Sequence, residues 1–224
     1  MPQQLSFDLS VRQALGREDF FVSPANAAAV GMIEGWTGWV GRKLLLTGPS
    51  GAGKTHLVHV WAALAEARII AAGDLAPDAV PALATRNVAV EDAHLIAGNG
   101  AAEEALFHLH NLALAEGHSL LITADRPPRR WGLALPDLVS RMQGTALVAL
   151  DPPDDELLAA VMMKLFADRQ LAPAPETIPY LIPRMARSFD AARQVVTALD
   201  KSALDTGRPI NRSLARQVLD KLAK

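Results

Sequence analysis

The sequence predicts an α/β fold: a base with a parallel sheet flanked by helices, followed by a small all-α lid. Three observations predict it. A glycine loop, Gly48-Pro49-Ser50-Gly51-Ala52-Gly53-Lys54-Thr55, joins an apolar run to a helix-like segment. Short apolar runs alternate with helical patterning as far as Leu150, as in a sheet covered on both faces. After Asp151-Pro152-Pro153 only helical patterning remains.

The elements follow in order. In Gln4-Leu5-Ser6-Phe7-Asp8-Leu9 the apolar residues alternate with polar ones, which predicts an extended segment with one apolar face. No second strand follows at hairpin distance. Phe21-Val22-Ser23-Pro24-Ala25-Asn26 leads into a first helix, with Ser23 as its N-cap and Pro24 at its first position. Arg42-Lys43 enters the strand Leu44–Leu46, and Thr55–Trp61 continues the glycine loop as a helix. Asn87–Asp92 is a short apolar strand ending in two acids. Glu103–Glu116 reads as an amphipathic helix stopped by Gly117, and Ser119–Thr123 and Thr145–Leu150 read as strands. The later helices are one beginning at Asp154-Asp155-Glu156, then Glu176–Arg187, Asp190–Leu204 and Ser213–Leu222. The boundaries predicted are a tail over 1–20, a base over 21–151 and a lid over 152–224.

Composition limits the function classes. The 224 residues can fill one large or two small cores. The absence of cysteine excludes disulfides and thiolate metal sites and fits a cytoplasmic location. No apolar run approaches the ~20 residues a bilayer needs, so no membrane association is expected. A net charge of −2 makes a plain DNA-binding module a weak reading. Charge is uneven, however: residues 151–180 carry six acids against two bases, and residues 181–224 carry nine bases against four acids. Most of those bases are expected on a solvated face. The histidines outside the loop string form no metal-binding set and are read as packing or surface residues.

The glycine loop matches G-x-x-x-x-G-K-[ST] at every specified position. Glycines let backbone N–H groups face phosphates, and the helix that follows adds its positive end. Lys54 then reaches the β- and γ-phosphates and Thr55 holds Mg²⁺. The acids Glu91 and Asp92 end a strand where ligands sit in open α/β sheets. One would fix the Mg²⁺ water shell and the other polarise an attacking water.

The string Phe21-Val22-Ser23-Pro24-Ala25-Asn26, the loop GPSGAGKTHL and the run LLITADRPPRRWGLALPDLVSRM together resemble the AAA+ ATPases, and among them the DnaA-related group. The resemblance covers nearly the entire chain. It implies that Phe21, Val22 and Asn26 line the adenine side. Gly48 through Thr55, with His56, would hold the nucleotide, ADP or ATP with Mg²⁺ on Thr55 and Glu91. Asp125 matches a sensor of the γ-phosphate end, and Arg193 a lid arginine that contacts phosphate. Arg141 matches an arginine finger acting on ATP held by a neighbouring subunit. Glu91 stands where the group commonly has Asp, which bears on this chain's own hydrolysis.

The trimmed layout further resembles the Hda-type regulators of that group, whose short tail docks on the DNA polymerase sliding clamp (β). Gln4, Leu5, Ser6, Phe7, Asp8 and Leu9 fit that tail, although Phe7 stands where Leu is usual and Asp8 where Pro is common. The expected partners are therefore the clamp and the DnaA initiator, whose ATP hydrolysis the chain would stimulate. Homo-oligomers through AAA+ contacts are a further expectation, and sequence-specific DNA binding is not expected. The alternatives are a helicase loader of the DnaC type and a small-molecule P-loop kinase closing Arg126, Arg129 and Arg130 over its substrate.

Overall fold

The computed structural model describes residues 21–222; the tail motif Gln4–Leu9 lies outside them. The base contains, in chain order, α1 (Ala27–Glu34), β1 (Lys43–Thr47), α2 (Lys54–Ala65), β2 (Arg68–Ala71), α3 (Val80–Leu83), β3 (Val88–Glu91), α4 (Gly100–Ala115), β4 (Leu120–Ala124), α5 (Pro136–Gln143) and β5 (Leu147–Ala149). The helices α6 (Asp155–Asp168), α7 (Thr177–Leu181), α8 (Phe189–Thr206) and α9 (Arg212–Leu222) follow. The strands form one sheet in the order β2-β3-β4-β1-β5, and every pairing is parallel. Register aligns Lys43 with Leu120 and Thr47 with Ala124. All strand C-termini therefore lie along one rim and all N-termini along the other.

Alternation along β1 divides the core. Leu45 faces one layer with Val90, Leu106, Leu109, Leu120 and Ile122. Leu44 and Leu46 face the other with Ile33, Leu57, Trp61 and Leu121, as a period of two requires. Each of these leucines is fully buried, worth roughly 1.5–3 kcal/mol apiece. On the second face Trp39 stacks on Trp61 at 5.3 Å between ring centroids. A third cluster, including Leu158, Phe166, Leu181, Val196, Leu199 and Leu214, draws only on the C-terminal helices.

Three expectations need correction. The first helix begins at Ala27, with Asn26 at the N-cap position. Ser23 instead heads the preceding turn, its carbonyl accepting from the N–H groups of Asn26 and Ala27. The segment Glu176–Arg187 is not one helix: α7 gives way to a 3-10 turn at Ile182–Arg184. Pro183 lacks the N–H a helix needs and its ring crowds the preceding turn. Finally, the structure adds an edge strand, β2, whose burial is spread thinly over four residues and which carries no clear strand signal in the sequence.

Candidate functional site

The glycine loop leaves the C-terminal end of β1. Gly48 donates to the carbonyl of Ala124, and a Cβ there would lie 2.7 Å from the carbonyl oxygen of Leu150. Only glycine permits that approach of loop to the end of β5. Gly53 has φ +100 and serves as the N-cap of α2 with no side-chain cap, so the first N–H groups of a twelve-residue helix point into the loop. Lys54 is buried, and its ammonium donates to the carbonyls of Gly48 (2.7 Å) and Pro49 (3.1 Å). Burial lowers its pKa; the carboxylates of Asp92, Asp125, Glu91 and Asp190 oppose that effect. Thr55, the next residue, is exposed.

The neighbouring strands bring the acids. Glu91 is the last residue of β3, and Asp92 follows in the left-handed region with φ 55. That turn is held by the Asp92 N–H donating to the hydroxyl of buried Thr123 on β4. Asp125 follows β4, its Oδ1 lying 2.9 Å from Arg126 Nε and 3.3 Å from His94 Nε2. The same imidazole takes the Asp125 N–H on Nδ1 at 3.4 Å. With Nδ1 accepting, the ring's proton sits on Nε2, facing the carboxylate. One histidine thus links the loop after β3 to the end of β4. The sequence alone places it among the packing or surface residues.

The C-terminal helices reach this rim directly. Ser188 caps α8 by accepting from Ala191, and Phe189 donates its N–H to the carbonyl of Gly51 at 2.9 Å. A Cβ on Gly51 would fall 2.6 Å from Ser188 Cβ, and one on Gly53 would fall 2.9 Å from the Phe189 ring. The start of α8 is seated on the glycine loop. Arg193 lies one turn further and pairs with Asp190 at 2.5 Å, itself one of the acids near Lys54.

The residues expected on the adenine side differ in their surroundings. Phe21 and Val22 are exposed, whereas Asn26 is buried. The Asn26 amide donates to the Phe21 carbonyl and accepts from the Ser23 N–H, so it braces its own segment. Asp154 ties that segment to α6. Its carboxylate caps Leu157 N–H at 2.8 Å, and that bond, with help from the Ser23 hydroxyl and the Ala25 N–H, holds its pKa below the usual carboxylate value.

Arg141 is the sequence-predicted residue that the fold keeps away. Its carbonyl accepts from the Thr145 hydroxyl just before β5, and its guanidinium is near enough to Lys43, the first residue of β1, to lower that ammonium's pKa after burial. It therefore belongs to the N-terminal rim, separated from the glycine loop by the ~13 Å length of β1 at about 3.3 Å per residue. The start of its helix is held by Glu103 on α4. This carboxylate is fully buried and accepts from the N–H groups of Gly98, Ala134 and Leu135. Glu103 is likewise absent from the sequence-predicted residues; its detectable signal is an acid on the apolar face of α4, one turn before Leu106.

No family model matches the sequence. The structure is similar to domain III of the Thermotoga maritima replication initiation protein DnaA, at 22% identity and a TM-score of 0.80, over 94% of this chain and 97% of that one. AMPPCP-bound DnaA from Aquifex aeolicus gives 19% and 0.70, over 84% and 65%. A point mutant of Thermotoga maritima RuvB gives 18% and 0.70, over 88% and 68%. The likeness at these identities is one of fold: a parallel five-stranded sheet flanked by helices and followed by a helical portion.

Proposed function

We propose that this chain holds an adenine nucleotide, ADP in its resting form, and stimulates ATP hydrolysis by a DnaA-type replication initiator through Arg141. The observation that carries the reading is the placement of Arg141 on the rim opposite its own glycine loop. A guanidinium there, near Lys43 at the start of β1, lies away from the nucleotide site of its own chain, which supports a role on a neighbour's. On this reading residues 21–151 are the base, 152–224 the lid and 1–20 the tail.

The residues present fit a nucleoside polyphosphate. The loop offers open N–H groups and a cation, and Asn26 holds the backbone of Phe21, which with Val22 would line the adenine side. His56 and Arg193 complete the nucleotide set from α2 and α8. Among the described residues no cluster of three or more His, Asp or Glu is placed to hold a metal. Mg²⁺ would therefore rest on Thr55, Glu91, phosphate oxygens and water. When bound, it would supply charge neutralisation across the phosphates. Asp92 would orient water and Asp125 would sense the phosphate end. The tail Gln4–Leu9 would tether the chain to the sliding clamp as an extended peptide.

The test is hydrolysis of ATP preloaded on the DnaA initiator, with the full chain and clamp on DNA. Arg141→Ala is expected to lower the maximal stimulated rate by ~10³-fold while ADP still binds. Full stimulation by that variant would overturn the reading. Changing Gln4, Leu5 and Phe7 together to Ala is expected to abolish clamp binding; unchanged binding would remove the tail from the proposal.

A further inference from the structure

The start of α8 brings a negative charge to the loop on which an anion is expected to bind. Ser188 caps the helix, and the Phe189 N–H donates to the Gly51 carbonyl at 2.9 Å, so the first turn of α8 is held against the loop by its backbone. Asp190 is the next residue. Its Oδ2 lies 3.3 Å from the position a Cβ on Gly51 would take. Its Oδ1 accepts from Nη2 of Arg193 at 2.5 Å. The same carboxylate is one of four whose charge acts on the Lys54 ammonium. Asp190 therefore turns one oxygen to the glycine loop and the other to the lid arginine.

An acid in the first turn of a helix opposes the helix's positive end, and an acid–arginine pair three residues apart steadies the turn. Asp190 does both. Neither effect involves the glycine loop, yet the carboxylate borders it. A polyphosphate bound there would bring like charge to a carboxylate fixed by the helix that carries it, and like charges at short range repel. The repulsion grows with each phosphate added. The cation that would offset a third phosphate from the lid, Arg193, already has its charge met by Asp190. A diphosphate has less need of that cation, because the loop N–H groups and Lys54 serve it directly.

We propose that Asp190 is a specificity-determining residue of the nucleotide site: an internal counter-ion that keeps Arg193 while a diphosphate is bound, and that a triphosphate has to displace. The site then favours ADP over ATP. This rests on the nucleotide-binding part of the function given above and is independent of Arg141. Its consequence has the opposite sign to that of an ordinary binding residue, since removing the Asp190 charge tightens binding, and tightens it more for the triphosphate.

The experiment is calorimetry of the full chain with ADP and with AMPPCP, a triphosphate analogue that is not turned over, both with Mg²⁺. Asp190→Asn keeps the shape and removes the charge; Asp190→Glu keeps the charge. The parent protein is expected to prefer ADP. Asp190→Asn should tighten AMPPCP about tenfold and ADP about threefold or less, moving the ratio toward the triphosphate. In an Arg193→Gln background the same change should shift both ligands by one common factor. Thermal unfolding of each variant separates the structural role, because a lost helix-end contact lowers the melting temperature without changing the ratio. Weaker binding in Asp190→Asn, an unchanged ratio, or a parent protein without preference for ADP overturns the proposal. So does Asp190→Glu behaving as Asp190→Asn, which would assign the effect to shape. If the parent binds neither nucleotide, or Lys54→Ala binds ADP as the parent does, the nucleotide-binding reading falls and this one with it.

Discussion

The two rims of the sheet are built from the same strands yet solve opposite electrostatic problems. On the C-terminal rim, acids outnumber cations: Lys54 is surrounded by Glu91, Asp92, Asp125 and Asp190, and Arg193 is already committed to Asp190. On the N-terminal rim, Lys43 and Arg141 sit near each other with a neutral imidazole between lysine and core. A bound polyphosphate would deepen the first imbalance, and cations from Mg²⁺ or a neighbour would relieve it. On the second rim, no carboxylate among the described residues pairs with either cation. Parallel strands make this separation possible, because every strand begins on one rim and ends on the other.

The contrast can be broken at either rim. The largest effect is expected from Lys54→Ala, which should weaken ADP binding by ~10³-fold, roughly 4 kcal/mol, measured by calorimetry. A loss of only a few-fold would mean the acid-rich rim is not where the nucleotide sits. Next is the neutral ring of the basic rim. His110 has its pKa lowered to about 4 from 6.5, so the unfolded chain takes up a proton that the folded chain refuses. Its contribution is present above pH 6.5 and lost as pH falls toward 4. Denaturant unfolding should show roughly 2 kcal/mol lost between about pH 7 and pH 5, approaching 3 kcal/mol at lower pH. His110→Gln should flatten that slope; an unchanged slope would place the proton uptake elsewhere. The smallest effect concerns the join between base and C-terminal helices. Asp154→Ala removes the N-cap of α6 and should cost about 1–2 kcal/mol. Because the carboxyl's pKa is lowered, the difference between variant and parent should vanish in acid, as the carboxyl protonates.

The parts of this architecture that are legible in the sequence are those decided locally. The run Leu44–Leu46 and the glycine spacing after it specify a strand, a loop and a helix within a dozen residues. Asp154 announces the start of α6 as an acid before an apolar stretch. The break at Pro183 is equally readable, although helical periodicity on either side of it argues the other way. Other features depend on contacts distant in sequence. Nothing near Ser188 or Phe189 announces that they will lie on Gly51 and Gly53, some 136 residues earlier for the last pair. His94 gains its role only because β3 and β4 are neighbours. Glu103 and His110, seven residues apart on the buried face of α4, are visible as polar residues among apolar ones. Which groups they satisfy is not.

The strand order also governs how this chain can fold as it leaves the ribosome. β1 is flanked by β4 and β5, both far downstream, and β3 must likewise wait for β4. At synthesis rates of about 5–20 residues per second, β1 and the glycine loop spend several seconds without either hydrogen-bonded neighbour. Sheet closure is then a late, long-range event, of the kind that loop-closure entropy makes slow. Fragments ending before β5 would leave the Leu45–Thr47 edge of β1 without its second partner until residue 149 has emerged.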